Sequence, residues 1–158
     1  MSTNEFYQYC RTHHCDLKHV NSRHFYLVDW LSKNPRAIGF EGEMFREVYL
    51  PDGTSMDLAG FSNEGILIGE VKTGAKTPGV RDKITTFAER LAIREDINPA
   101  DISMFYLWTR GGAESAGLFS SKLRGGRWRQ REIPLSKEYE NIWRYSSQDN
   151  IHLRARAG

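Results

Sequence analysis

The stretch from Arg46 to Lys72 constrains the fold more than any other part of the chain. It reads REVYL, a turn at Pro51-Asp52-Gly53, SMDLAGF, a second turn at Asn63-Glu64-Gly65, and then ILIGEVK. Three short runs rich in Val, Ile, Leu and aromatics are thus joined by glycine-containing turns too short for a crossover. Strands joined in this way pair with their immediate neighbours in opposite directions. An antiparallel three-strand meander is expected.

The flanking segments surround that meander with helices and further strands. Residues 4–33 carry apolar positions at helical spacing, among them Phe6, Tyr9, Leu17, Val20, Phe25, Val28 and Leu31, and stop at Asn34-Pro35. This predicts one or two helices, an N-terminal helical region over 1–35. Residues 74–79 read as a loop. VRDKITTFAERLAIRED then places Val80, Ile84, Phe87, Ala88, Leu91 and Ala92 at the spacing of an amphipathic helix whose exposed face is partly basic. After Asn98-Pro99 the continuous apolar run ISMFYLWT reads as a buried central strand. A short helix is expected between Gly111-Gly112 and Gly125-Gly126, and RWRQREIPL reads as a late strand that Pro134 places near an edge. The fold class that follows is α/β: one domain over 1–158, with a central mixed sheet flanked by helices.

A chain of 158 residues that is 39% hydrophobic can bury such a core without disulfides. Cys10 and Cys15, close together in a chain of this size, suggest no disulfide framework and are expected to be reduced thiols. No apolar run is long enough to span a bilayer, and the start MSTNEFYQYC has no basic-then-apolar leader pattern. The expectation is a soluble protein, cytoplasmic where it is made.

The formal charge of +2 conceals a segregation. From Glu41 to Glu70 there are seven acids (Glu41, Glu43, Glu47, Asp52, Asp57, Glu64, Glu70) against Arg46 alone. From Arg110 to Arg131 the bases Arg110, Lys122, Arg124, Arg127, Arg129 and Arg131 face only Glu114. A metal together with a polyanion would account for both.

Strand alternation brings chemistry into the acidic segment. Glu70 and Lys72 project to one side of their strand and Leu67, Gly69 and Val71 to the other. The same rule puts Met56 and Leu58 on one face and Asp57 on the opposite one, and a meander can set Asp57 beside Glu70. Two carboxylates in a small space invite a hard divalent cation, Mg2+ first, which polarises a phosphoryl oxygen while Lys72 orients the attacking water or stabilises developing charge. Gly69 is expected to mark a close approach or bulge at this site. The ordinary alternative is a solvated sheet face carrying a Glu70–Lys72 pair.

Asp57, a strand-turn-strand interval, and then Glu70-Val71-Lys72 resemble the PD-(D/E)XK nuclease superfamily. In that family the aspartate opens the second strand of a meander, the triplet lies on the third, and a helix and another strand follow. The resemblance covers roughly residues 38–110 and implies a restriction-endonuclease-like core that cleaves DNA with Mg2+ or Mn2+. It assigns Asp57 and Glu70 to the metal and Lys72 to the attacking water. Gly39-Phe40-Glu41-Gly42-Glu43 resembles the family's G-x-x-G-E signature and points to Glu43 as a further acid, with Glu41, Glu47 and Asp29 as alternatives. Asp52 precedes Gly53 in a turn, so the literal Pro51-Asp52 pair is not given the metal role. No glutamine marks a subfamily after the triplet. Repair, junction resolution, restriction and a toxin role stay open. A toxin would imply a cognate immunity protein and export by a signal-independent route, and double-strand cutting would imply a homodimer.

Two other groups carry expectations. Lys76, Arg81 and Lys83, just after the triplet, together with Arg124, Arg127, Arg129 and Trp128, would track a phosphate backbone and stack on a base or sugar; a solvated basic edge is the alternative. Cys10, His13, His14, Cys15, His19 and His24 fall within fifteen residues and suggest zinc, although their spacing matches no standard finger. The rival functions are therefore a non-catalytic nucleic-acid-binding domain using the basic half and a zinc-binding interaction module.

Overall fold

The computed structural model describes residues 1–14, 23–74, 76–109, 115–139 and 141. Its centre is a six-stranded sheet whose order follows the sequence: β1 (Glu43–Tyr49), β2 (Ser55–Ser62), β3 (Gly65–Thr73), β4 (Ile102–Thr109), β5 (Ser115–Lys122) and β6 (Arg129–Pro134). All neighbours are antiparallel except β3 and β4, which run parallel, so the sheet is mixed. The parallel step is made by helix α3 (Val80–Arg94), which carries the chain back across the sheet. Helices α1 (Thr3–His13) and α2 (Arg23–Lys33) precede the sheet.

The expected meander forms because its two turns can tighten. Gly53 (φ +86°) donates from its N–H to Leu50 O at 2.9 Å, and Gly65 (φ +126°) opens β3, both in backbone regions that an L side chain disfavours. Two apolar clusters then cover the sheet. On one side α1 and α3 bury Phe6, Cys10, Ile84, Phe87 and Leu91 against Ile66, Ile68, Met104 and Tyr106. On the other, α2 buries Leu27, Val28 and Leu31 against Leu58, Val71, Phe105 and Leu107. A buried leucine such as Leu91 is worth about 2–5 kcal/mol relative to alanine, so α3 is held by its apolar stripe more than by helix propensity.

Three expectations change. The segment predicted to hold a short helix is β5, because the free edge of β4 offers it a full ladder from Ser103↔Lys122 to Thr109↔Ala116. Gly117 within it lies where a Cβ would come 2.1 Å from the Trp108 ring, so the glycine serves strand packing. Second, Met56 and Leu58 do not share a face: Met56 joins the cluster under α1 and α3, and Leu58 the one under α2. The alternation of β2 slips at Asp57. In β1 the same slip falls at Glu47, held at φ +50°, so Phe45 and Val48 both pack on the α1/α3 side. Third, Gly69 answers to the core. Its Cβ would come 2.2 Å from the Phe105 ring, on the α2 side, away from Glu70. The late strand β6, by contrast, lies at the sheet edge as its Pro134 predicts. Among the described residues no helix is long and apolar enough to cross a membrane.

Candidate metal centre

The matched slips in β1 and β2 build the site. The ladder between these strands runs through Arg46↔Leu58 and Val48↔Met56, so Glu47 and Asp57 lie opposite each other where both strands lose their alternation. On the other side of β2 the paired register reaches only Leu58↔Gly69. Beyond it, the Val71 N–H is taken by the Asp57 carboxylate at 2.9 Å instead of a main-chain carbonyl. Asp57 thus replaces a ladder partner and is held where β2 and β3 part.

Four acid and imidazole groups converge there. Asp57 and Glu70 are buried, at 8% and 3% exposure, and bonded to each other through their side chains. His24, at the start of α2, places Nε2 3.1 Å from Asp57 Oδ2. One ligand atom each from His24, Glu47 and Asp57 lie within 4.8 Å of one another. Lys83, from the first turn of α3, reaches Glu70 Oε1 at 3.0 Å.

The electrostatics follow from this crowding. Burial, reinforced by the neighbouring Asp57 carboxylate, pushes Glu70 up to about 8, with Lys83 opposing the shift. Although burial works against its charge, Asp57 stays below the usual carboxylate range because His24, Glu70 and the Val71 N–H all stabilise the anion. Burial and the Asp57 charge raise Glu47. His24 is raised by its bond to Asp57, against the opposing effect of burial. One proton is therefore retained between two buried carboxylates at neutral pH, the expected response of a donor set with too much negative charge for its surroundings.

The sequence-derived residues divide clearly. Asp57 and Glu70 come together; Lys72 follows Glu70 by two residues, half-buried and in register with Trp108. Glu43 does not join them. It is exposed, pairs with Phe61 at the far end of β1, about 13 Å along the strand from Glu47, and accepts from the Tyr7 hydroxyl at 2.5 Å. Glu47 occupies the place proposed for Glu43, and Asp29 is committed to ion pairs with Arg46 and Lys33. The hairpin itself contains the signal for Glu47, since residues 47 and 57 are equidistant from the turn at Asp52.

The Cys/His group disperses. Cys10 is buried and its thiol is pushed up to about 12 by burial, so it behaves as a core residue. His13 stacks on Tyr9 with ring centroids 4.0 Å apart, and His14 bonds to Cys10 O; among the described residues neither belongs to a group of three or more potential metal ligands. His24 leaves the group for the acidic centre. Cys15 and His19 lie outside the described residues.

Two basic residues gather over one aromatic ring two strands along the sheet from Glu70. Arg81 and Lys76 sit over the ring of Phe119, at 4.3 and 5.3 Å from its centroid. Phe119 in turn stacks on Tyr106 and Trp108 and meets Trp128 edge-on at 6.5 Å. Ladder pairing puts Glu70, Tyr106 and Phe119 in one row, so the acids and the cation-covered rings are neighbours on one surface. Arg124, Arg127 and Arg129 are exposed beyond it. A larger groove of about 700 Å3 beside Trp30, Phe40 and Pro134 contains none of the site acids.

With this geometry in hand, the comparisons add no relative. No family model matches the chain, and no significant match is found among curated proteins or solved structures.

Proposed function

We propose that this protein is a metal-dependent nuclease that hydrolyses phosphodiester bonds, most simply in DNA, on a restriction-endonuclease-like core. The observation that carries the reading is the buried Asp57–Glu70 pair, with His24 and Glu47 on one side and Lys83 on the other. Two buried carboxylates sharing a proton are costly in an ordinary core and useful where a cation is to be held.

Asp57, Glu47 and His24 would hold a divalent cation, Mg2+ or Mn2+, with Glu70 completing the acidic wall. When bound, the cation supplies polarisation of a phosphoryl oxygen and a lowered pKa for water. The residues do the rest. Glu70, once cation binding has released the proton it shares with Asp57, would accept a proton as water attacks phosphorus, a P–O ester bond breaks, and the leaving oxygen is protonated from solvent. Lys72, beside Glu70 on the same strand, counters charge growing on the phosphoryl oxygens. Lys76 and Arg81 hold the backbone of the polyanion next to the acids, and Arg124, Arg127, Arg129 and Trp128 extend that track.

The test is cleavage of plasmid and single-stranded DNA with Mg2+ or Mn2+, with and without chelator. Nicking that disappears on chelation and in Asp57→Asn and Lys72→Ala variants is the expected result. DNA binding without metal and without cleavage would leave a non-catalytic nucleic-acid-binding domain. Full cleavage by Lys72→Ala would overturn the assignment of that residue.

A further inference from the structure

We infer that His24 makes this centre selective for first-row transition-metal dications, from Mn2+ onwards, over Mg2+ and Ca2+. The inference rests on the metal-centre reading above and not on cleavage. It goes further, since the sequence pointed to Mg2+ or Mn2+ on carboxylates and placed His24 only in a separate, zinc-suggesting Cys/His group.

The donor set is the argument. His24, Glu47 and Asp57 offer one imidazole nitrogen and two carboxylate oxygens within 4.8 Å of one another. Mg2+ and Ca2+ are hard ions that favour oxygen, and Mg2+ gives up water reluctantly and usually takes one or two carboxylates and keeps several waters. Imidazole nitrogen favours ions later in the first row, with affinity rising from Mn2+ onwards. A site that spends one of its few protein ligands on nitrogen therefore gives up Mg2+ affinity relative to those ions.

The spacing fits as well. Adjacent ligands on an ion with bonds of about 2.1 Å lie roughly 3 Å apart, and His24 Nε2 stands 3.1 Å from Asp57 Oδ2. The imidazole is not a passing surface contact. It comes from a different layer, α2, and is half-buried, at 35% side-chain exposure, with its ring nitrogen directed at Asp57. Carbonyl or water ligands would have served Mg2+ without it.

The experiment is equilibrium binding by calorimetry of Mn2+, Co2+, Mg2+ and Ca2+ to the full chain without nucleic acid. Wild type and the variants His24→Ala and Glu47→Gln are compared, with circular dichroism confirming that each is folded. The expected result is Mn2+ bound about tenfold or more tightly than Mg2+. His24→Ala should lose most of that preference while its Mg2+ affinity changes by less than about threefold, and Glu47→Gln should weaken both ions. Because His24→Ala could fail to fold, nitrogen coupling in the pulsed electron paramagnetic resonance of bound Mn2+ in the wild type provides a second readout. Equal affinity for Mn2+ and Mg2+, Mn2+ preference unchanged in folded His24→Ala, or bound Mn2+ with no nitrogen coupling would each overturn the inference. Selectivity without DNA cleavage would instead remove the nuclease reading and leave this one intact.

Discussion

Neutralising Glu70 should change how the stability of the metal-free protein depends on pH. Its carboxyl is raised from an ordinary 4.5 to about 8 by burial and by Asp57, so between those values the folded chain keeps a proton that the unfolded chain has lost. Stability then falls as pH rises, by about 1.4 kcal/mol for each pH unit. From pH 5 to pH 8 the loss is on the order of 4 kcal/mol, which for a chain of this length corresponds to a fall of about 10 °C in Tm. His24 acts in the same direction: raised by Asp57, it contributes stability below its unfolded value of 6.5 that is lost as pH rises through its folded value. The depressed Asp57 acts only below 3.8, outside this window. Thermal unfolding in chelator at pH 5, 6, 7 and 8 should show a falling Tm for wild type and a much flatter one for Glu70→Gln, which keeps the shape without the charge. Saturating Mn2+ should restore most of the loss at pH 8, since a bound cation releases the shared proton. A wild-type Tm that is flat or rises towards pH 8, or a Glu70→Gln slope equal to that of wild type, would refute the reasoning.

Other outcomes follow from individual contacts. Gly69→Ala should lower stability by about 1–3 kcal/mol, because the new Cβ meets the Phe105 ring at 2.2 Å; denaturant unfolding measures it. Arg81→Ala and Lys76→Ala should each weaken DNA binding and lower the magnitude of its log-salt slope by about 1, as read by fluorescence anisotropy across salt concentrations. Cys10, buried with its thiol pushed up to about 12, should react with a thiol reagent only on unfolding, and Cys10→Ala should bind metal as wild type does. Lys83→Ala should cost less than about 1 kcal/mol because the lysine is largely exposed, yet raise the pH at which Glu70 ionises, detectable by carboxyl titration in nuclear magnetic resonance.

The local sequence determined the meander, the amphipathic α3 and the apolar β4, because turn chemistry and side-chain period act over a few residues and need no distant partner. It also made Asp57 and Glu70 candidates to be neighbours, since two tight turns leave three strands little other way to pair, although the alternation it implied for β2 was overturned at Asp57. Only the tertiary structure decided the rest. β5 is a strand because the edge of β4 was open to it, an influence stronger than the weak helical preference of its own residues. The partners of the acid pair came from packing: Glu47 through the matched slips in β1 and β2, His24 through the docking of α2, and Lys83 through the first turn of α3. Periodicity could not announce them, because a slip breaks the period and a helix may place any of its faces against a sheet. Gly69 shows the same limit from the other side: its sequence marks a close approach, and only the Phe105 ring in the core reveals what approaches it.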